Sequence, residues 1–300
     1  MPGDDTESLS QEQAKQLLAP GLYLVGTPIG NLEDITFRAL RVLRSVDRIG
    51  CEDTRQTQKL LNHFGISTPT ISCHEHNEAE RIPEFLAAIQ KGERIAIVSD
   101  AGMPGISDPG MRLAAAAIEA GIAVHPIPGA NAALSALVAS GLNTGRFLYM
   151  GFLPPKAGAR RQALEELAAK VEDRTTLIFY EAPHRILETL SDVQSVWGKD
   201  CRVVVARELT KLYEEFLRGT VAEVAAEMTQ RDRIRGEITL LVEARTLTGE
   251  SASVSIAQRI AELQQSESLD EKDALKRIAR ERGLSKSDVY RELQRERARR

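Results

Sequence analysis

The chain of 300 residues is too long for one small hydrophobic core, so its length predicts two domains with an appendage. Its hydrophobic fraction of 42% and charged fraction of 27% are ordinary for a globular protein. No apolar run approaches the roughly 20 residues that cross a bilayer, so no membrane partner is expected. Three scattered cysteines, Cys51, Cys73 and Cys201, argue against a disulfide framework, and the polar, acidic first twenty residues do not resemble a signal peptide; both features predict a cytoplasmic protein.

The formal net charge of −4 is unevenly distributed along the chain. Residues 271–300 hold eleven Lys and Arg against six Asp and Glu, a net +5, which leaves −9 for residues 1–270. A basic terminal appendage favours a polyanionic partner. The other interpretation is a solvated helical face whose ion pairs happen to lean positive, and the sequence does not separate the two.

The first half of the chain predicts an open α/β sheet. Residues 1–19 have the composition of a disordered lead-in. Five apolar strands then alternate with amphipathic helices, at residues 22–25, 47–51, 69–72, 94–98 and 122–127. The loop after the first strand, GTPIGN, has neither the GK[ST] ending of a Walker phosphate loop nor a GxGxxG turn, which disfavours nucleotide and dinucleotide sites of those types.

The connection at residues 99–110 is the most informative stretch of the sequence. It contains three glycines and two prolines, it follows an apolar strand, and it precedes an alanine-rich helix closed by Gly121. Ligands of open parallel sheets bind beyond the carboxyl ends of the strands, and an ordinary strand–helix turn is shorter. We therefore expect a ligand-binding loop. A second loop, residues 128–135, has small side chains that would leave room for a flat ring but equally allow close helix–sheet packing.

Ionisable residues follow the second and third strands. Glu52 and Asp53 could act as a base or could place negative charge at a helix N-terminus, with Thr54 as the expected N-cap. The third strand leads into Cys-His-Glu-His, where alternation puts His74 and His76 on one face. No further Cys/His pair at metal spacing follows nearby, so the cluster favours polar residues at a substrate mouth over a zinc site.

The second half of the chain predicts a mixed sheet, with strands beginning at residue 147 and at 175–180, 202–206, 213–219 and 236–242. Two of these strands end in charged clusters, which are Glu181, His184 and Arg185 in one case and Arg207, Glu208 and Lys211 in the other. Capping and ion pairs could explain one cluster, whereas two at one sheet edge favour a functional site. The connection that carries Lys156, Arg160 and Arg161 is basic and could contact phosphates.

The end of the chain predicts a small helical domain. Residues 246–252 form a linker, and three short helices follow at about 254–265, 271–282 and 286–297. A tight turn at residues 283–285 gives the last two helices the shape of a helix-turn-helix, although any small three-helix unit looks similar. The predicted domains are therefore an open, mostly parallel α/β domain at 20–128, a mixed-sheet α/β domain at 129–246 and a helical tail at 253–300.

Nine motifs over roughly residues 20–245 resemble, in order and spacing, those of the 16S rRNA (cytidine-2′-O)-methyltransferases of the tetrapyrrole methylase superfamily. They are GTPIGNLEDIT (26–36), EDTR (52–55), HNE (76–78), SDAGMPGISDPG (99–110), PGANAAL (128–134), GFLPPK (151–156), EAPHR (181–185), ARELTK (206–211) and GEITLLVE (236–243). The first loop of the tetrapyrrole enzymes usually follows the pattern GxGPGD. Its form here, GTPIGNL, favours the RNA branch over a porphyrin substrate.

The resemblance implies a homodimeric methyltransferase with S-adenosylmethionine (SAM) in the cleft between two α/β domains. The implied substrate is the 2′-hydroxyl of a cytidine in the decoding region of small-subunit 16S rRNA. The cofactor-binding residues that the motifs imply are Pro28, Asp100, Ala101, Gly102, Ile106, Asn131, Ala132, Tyr180, Ala206, Glu237 and Ile238.

A ribose hydroxyl is a poor nucleophile near pH 7, so the reaction needs alignment of oxygen, methyl and sulfur and a group that removes the proton. The candidates for the base are Glu52, Asp53, His76 and Glu208, and the sequence does not choose among them. The candidates for holding RNA phosphates are Arg55, Lys156, Arg185, Arg207 and Lys211. Two other functions stay open, namely methylation of a tetrapyrrole or another small substrate, and a ligand-sensing regulator that binds nucleic acid.

Overall fold

The computed structural model describes residues 18–74, 76–245, 256–267, 269–282 and 286–298. The chain divides into two compact units, one formed by Met1–Glu165 and Arg174–Ala244, the other by Glu166–Asp173 and Arg245–Arg300. The expected linker at 246–252, the turn at 283–285 and nearly all of the lead-in at 1–19 lie outside the described residues. Nowhere in the described ranges is a helix both long and apolar enough to span a membrane.

The first sheet is entirely parallel, as expected from five βα units. Its strands are β1 (Gly21–Val25), β2 (Arg48–Cys51), β3 (Thr70–Ser72), β4 (Arg94–Val98) and β5 (Val124–Ile127), in the spatial order β3-β2-β4-β1-β5. The intervening helices are α1 (Phe37–Ser45), α2 (Thr54–His63), α3 (Glu78–Gln90) and α4 (Met111–Glu119). Because the strands are parallel, all five carboxyl ends and the loops that follow them lie at one edge.

Alternation along the strands of this sheet divides the core into two layers. Tyr23, Val25 and Val98 pack with α1 and α2 on one face, while Leu22 and Ile97 pack with α3 and α4 on the other. The strands are therefore apolar on both sides, which is why they form nearly continuous hydrophobic runs in the sequence.

The second sheet is mixed. Its strands are β6 (Phe147–Phe152), β7 (Thr175–Glu181), β8 (Arg202–Arg207), β9 (Glu215–Thr220) and β10 (Ile238–Ala244), in the order β6-β7-β10-β8-β9. Both β7 and β8 are antiparallel to β10, so they run parallel to each other and end at the same edge. The two predicted charged clusters therefore do lie at one edge of this sheet.

Four further helices belong to this half of the chain. They are α5 (Ala132–Ser140), α6 (Ala157–Lys170), α7 (Ile186–Trp197) and α8 (Val221–Thr229). Ala136 and Leu137 of α5 pack on one face of the second sheet, against Ile178, Val204 and Leu241.

Three helices form the end of the chain, α9 (Ile256–Glu267), α10 (Glu271–Arg282) and α11 (Lys286–Ala298), within two residues of their predicted bounds. They share a core of their own, in which Ile260, Leu263, Leu275, Ile278 and Leu293 are buried. The small C-terminal helical domain is thus present.

Two local expectations are corrected at helix starts. The N-cap of α2 is Asp53, whose Oδ1 accepts a hydrogen bond from the Arg55 amide at 2.8 Å, and Thr54 is instead the first helical residue. A carboxylate one position earlier reaches the free amides of the first turn, so the threonine is not needed there. The sequence also predicts that residues 33–36 open a helix, whereas the helix begins at Phe37, after a short 3-10 turn at Leu32–Asp34, because Thr36 caps it.

Candidate functional site

The loop after β4 is tied to the loop after β1. Thr27 and Gly102 exchange two backbone hydrogen bonds, at 2.9 and 3.1 Å, and the Thr27 hydroxyl donates to the Ser99 carbonyl at 3.1 Å. At the other end of the loop, the buried carboxylate of Glu78 accepts from the amides of Gly110 and Leu113 at 3.0 and 3.2 Å. The connection at 99–110 is therefore anchored at both ends and presents its middle to the space beyond the strands.

The loop after β5 approaches the loop after β1 even more closely. A Cβ on Gly129 would lie 2.8 Å from the Gly26 backbone, so this crossing requires glycine. The chain then enters α5 through Asn131, whose side-chain oxygen accepts from the Leu134 amide at 3.0 Å. Ala130 and Ala132 accordingly belong to a tight, small-residue turn, as the sequence indicated.

The edge of the second sheet supplies the facing wall. Glu208 adopts a left-handed backbone with φ of 52° and accepts from the Glu237 amide at 3.0 Å and from Lys211 Nζ at 2.8 Å. Gly236 has φ of +91°, and a Cβ there would lie 2.5 Å from the Glu208 side chain. These contacts hold Glu237 and the first residues of β10, Ile238 and Thr239, beside the ends of β7 and β8.

Both sheets contribute to one cavity of about 360 Å³, inside the usual range of roughly 300–1,000 Å³ for small-molecule sites. Ten of the eleven residues that the motifs implied for the cofactor line it. These are Asp100, Ala101, Gly102, Ile106, Asn131, Ala132, Tyr180, Ala206, Glu237 and Ile238. The eleventh, Pro28, is buried directly before the wall residue Ile29. Residues about 140 positions apart in the sequence thus meet around one space, and their role toward a cofactor stays a prediction.

Asp108 is the wall residue with the most unusual acidity. Burial, followed by the negative charges of Glu52 and Asp100, raises its pKa to about 7. The preceding residue, Ser107, has φ of 60° and shares a 2.6 Å hydrogen bond with the Tyr149 hydroxyl. Burial also raises the pKa of the neighbouring Tyr180 phenol well above its ordinary value. A carboxyl group that titrates near neutral pH is a typical feature of proton-transfer sites.

None of the four base candidates from the sequence belongs to the cavity wall that the described residues form. Hydrogen bonds from Arg55 lower the pKa of Asp53 to about 2, and the Asp53 amide donates to Asp100 Oδ1 at 3.2 Å. The Lys211 ammonium holds the pKa of Glu208 below its usual range. Glu52 is half-buried beside Asp108, and His76 is exposed.

Four of the five RNA-contact candidates are engaged by carboxylates of the protein itself. Arg55 pairs with Asp53, Arg185 with the buried Glu181, Arg207 with Glu215, and Lys211 with both Glu208 and Glu237. Lys156 is exposed. The charged clusters at the ends of β7 and β8 therefore form ion pairs within the protein at the edge of the cavity. Their contact with RNA stays a prediction.

The His74 and His76 rings lie 6.0 Å apart, whereas Glu75 of the same motif falls outside the described residues. Across the described part of the chain, no three His, Cys, Asp or Glu side chains are grouped as a metal site would require.

Sequence reasoning missed one acid of the cavity wall, Asp108, and named a second, Glu181, only as part of a charged cluster. Asp108 stands in an Asp-Pro-Gly sequence, which by itself indicates a turn. Its position beside two further carboxylates was the missing signal, and that arises only from the fold. Glu181 was noticed as a charge, but its burial (3% exposed) was not predictable from its place at a strand end.

Comparison with known proteins agrees with this architecture. The profile of the Tetrapyrrole (Corrin/Porphyrin) Methylases matches residues 21–225. Uroporphyrin-III-C-methyltransferase from Thermus thermophilus has the same fold, with a TM-score of 0.52, 19% identity, and 77% of this chain and 98% of that chain covered.

Closer relatives are found among curated sequences. The "Ribosomal RNA small subunit methyltransferase I" of Halalkalibacterium halodurans is 50% identical over 277 residues, which cover 90% of this chain and 93% of the relative. The protein of the same name from Escherichia coli O157:H7 is 44% identical, with 94% and 97% covered. The chain therefore belongs to the tetrapyrrole methylase family, within the group whose members are named ribosomal RNA small subunit methyltransferase I.

Proposed function

We propose that this protein transfers a methyl group from SAM to the 2′-hydroxyl of a cytidine in the decoding region of 16S rRNA. The names of its relatives support an rRNA of the small subunit as the substrate. The observation that carries the proposal is the cavity, which gathers ten residues of the implied donor site from loops of both sheets.

The cavity wall fits SAM by its chemistry. Apolar side chains such as Ile106, Ala132 and Ile238 suit the flat adenine ring. Asp100 and Glu237 add carboxylates that can accept from ribose hydroxyls and complement the positive sulfonium and amino groups. The small residues of the 128–135 turn and the anchored 99–110 loop bring backbone groups to the same surface.

SAM would supply an electrophilic methyl group on a sulfonium, which is already strongly activated, so the protein has two tasks left. One is to hold the acceptor hydroxyl in line, which the 99–110 loop, hydrogen-bonded at both ends, favours. The other is to receive the proton of the hydroxyl. We assign that task to the Asp108 carboxylate, because it lies in the cavity wall and no hydrogen-bonded cation neutralises it among the described residues. Glu52 is the second carboxylate beside it.

A homodimer acting in the cytoplasm is part of the same proposal. It is carried by the resemblance alone, and sedimentation of the purified protein tests the dimer.

The decisive experiment incubates the protein with radiolabelled SAM and small ribosomal subunits that lack the modification, followed by nucleoside analysis of the 16S rRNA. Label on the ribose of a cytidine is the expected result. Label on a base would contradict the reaction, and label on an added tetrapyrrole with none on the subunits would replace the substrate.

A further inference from the structure

A second depression opens directly beside the cavity. It is a groove of about 590 Å³, lined by Pro183, His184, Leu187 and residues 231–236. Pro183 and Gly236 belong to its lining and also to the wall of the cavity, so the two spaces are neighbours that share a wall. We call it the arginine groove, because Arg231, Arg233 and Arg235 line it against a single acid, Asp232.

The loop that forms the arginine groove is anchored at both ends. At its start, the Arg231 guanidinium pairs with Glu215 and holds the pKa of that carboxyl below its usual range, so this contact persists into mildly acidic solution. Toward its end, Arg207 donates to the Arg235 carbonyl at 3.1 Å, and the Glu208 carboxylate accepts from the Glu237 amide. The loop is therefore attached to the second sheet on both sides of residues 232–234.

Arg233 and Arg235 differ from the four basic residues at the cavity edge that are paired with carboxylates. Both side chains are exposed, and the described residues provide neither guanidinium with a carboxylate partner. Arg55, Arg185, Arg207 and Lys211 already have such partners. The rim of the cavity therefore presents two guanidinium groups without carboxylate partners among the described residues, on a loop anchored at both ends, with the exposed His184 across the groove.

The chemistry of a ribose acceptor points to what these groups bind. A 2′-hydroxyl in the cavity belongs to a sugar whose neighbouring oxygens carry phosphates, so the strand must leave the cavity as a polyanion. Guanidinium groups bind phosphate through paired hydrogen bonds, and imidazole or guanidinium planes can stack on unpaired bases. We infer that the arginine groove holds the backbone phosphates of the RNA strand next to the target nucleotide, through Arg233 and Arg235. This inference rests on the proposed function.

The test compares two double variants with matched loss of charge. R233A/R235A removes the free cations of the groove. K199A/R202A removes two exposed cations at the start of β8, the strand end opposite to Arg207, and is the control. Binding of unmodified small subunits is measured by filter retention over a series of salt concentrations, SAM binding by calorimetry, and the association state by sedimentation.

We expect R233A/R235A to weaken subunit binding about ten-fold and to reduce the slope of log affinity against log salt by about 1 to 2, because each lost phosphate contact removes about 0.7–0.9. SAM affinity and the association state should not change, and K199A/R202A should match the wild type. Unchanged subunit affinity and slope in R233A/R235A, equal losses in the control, or a changed association state would overturn the inference.

A photocrosslinker at Leu187, whose exposed side chain lines the groove, identifies the partner. A nuclease-sensitive crosslink to 16S rRNA supports the inference, and a crosslink to a ribosomal protein alone contradicts it. Neither measurement needs methyl transfer. If subunit binding depends on Arg233 and Arg235 but no ribose is labelled, the proposed reaction is rejected and the role of the arginine groove is retained. If ribose is labelled but subunit binding does not depend on these two residues, the proposed reaction is retained and the role of the groove is rejected.

Discussion

At the scale of single residues, the acidity of Asp108 makes the sharpest prediction. Its carboxyl has a pKa of about 7, and the charged groups facing it, Glu52 and Asp100, are both acids. A base must be ionised, so kcat should rise with pH up to about 7 and level off above it. Asp108→Asn should lower kcat by about 10²–10⁴ and abolish this limb of the profile, with SAM affinity largely kept.

The control for Asp108 is Asp200→Asn, an exposed acid at the turn before β8, which should leave both kcat and its pH profile unchanged. A D108N protein that keeps the acid limb near pH 7 would show that another group takes the proton. Glu52 would then be the next residue to replace.

The buried pair of Glu181 and Arg185 makes a prediction about stability. Glu181 is 3% exposed and accepts hydrogen bonds from Arg185, the Ala182 amide and the Thr189 hydroxyl. Arg185→Ala would leave this carboxylate buried without its cation, at a cost of about 3 kcal/mol or more in unfolding free energy. Urea denaturation measures the loss.

Replacing the exposed Lys156 by alanine is the matching control for Arg185, with an expected change within about 0.5 kcal/mol. If R185A were as stable as K156A, the ion pair between Arg185 and Glu181 would not stabilise the fold. The Arg185 guanidinium would then be available to bind RNA phosphates.

At the scale of elements, the crossing of the loops after β1 and β5 depends on the absence of a side chain. Gly129→Ala would place a Cβ 2.8 Å from the Gly26 backbone, which must move to make room. Because the loop after β1 also holds Gly102 of the cavity wall, we expect a loss of about 1–3 kcal/mol in stability together with weaker SAM binding.

Gly158→Ala provides the comparison for this change, since nothing lies within 4 Å of its Cβ position and the residue is helical. It should be neutral or slightly stabilising, with SAM binding intact. Calorimetry and thermal melting of both variants decide whether the crossing matters, and equal behaviour would refute its role.

At the scale of the whole molecule, the charge asymmetry and the separate core of the last three helices suggest two separate roles. The α/β part would bind SAM, and the basic helices would add affinity for the small subunit. The described residues that line the cavity all belong to Met1–Glu165 and Arg174–Ala244. A protein ending at Arg245 should therefore bind SAM with the affinity of the full chain. It should also bind small subunits more weakly and with a smaller salt slope, since the net +5 of residues 271–300 is gone.

Calorimetry and filter retention measure these two affinities. Loss of SAM binding on truncation, with the protein still folded by circular dichroism, would contradict this division. Unchanged subunit affinity would show that the basic tail is only a solvated helical surface.

Much of this fold was predictable because its strands are apolar on both faces and its helices are amphipathic. The sequence pattern predicts an amphipathic helix at residues 78–90 and a strand at 94–98, and α3 and β4 have these bounds to the residue. The composition of the 99–110 loop also located one wall of the cavity. The local pattern is sufficient here, since a strand buried on both faces forms a continuous apolar run and a helix buries one stripe.

Partner choice among charged residues was not predictable in the same way. Arg207 pairs with Glu215, and Lys211 pairs with Glu237, because β8 lies between β9 and β10 in the sheet. The order of strands in a sheet cannot be predicted from any one segment of the sequence. The raised pKa of Asp108 comes first from its burial and then from the charge of Glu52, 56 residues away in the chain. The arginine groove needs residues 183–187 and 231–236 to meet, and nothing in either segment alone indicates this.

The paired hydrogen bonds between Thr27 and Gly102 have a consequence for how the site could be observed. The two amides are held by one another's carbonyls, so a single opening event must release both to solvent. Their protons should thus exchange with deuterium at similar rates. A molecule bound against Gly102 would slow the exchange of both amides together. The Thr27 amide, which is not part of the cavity wall, would therefore report on occupancy of the cavity.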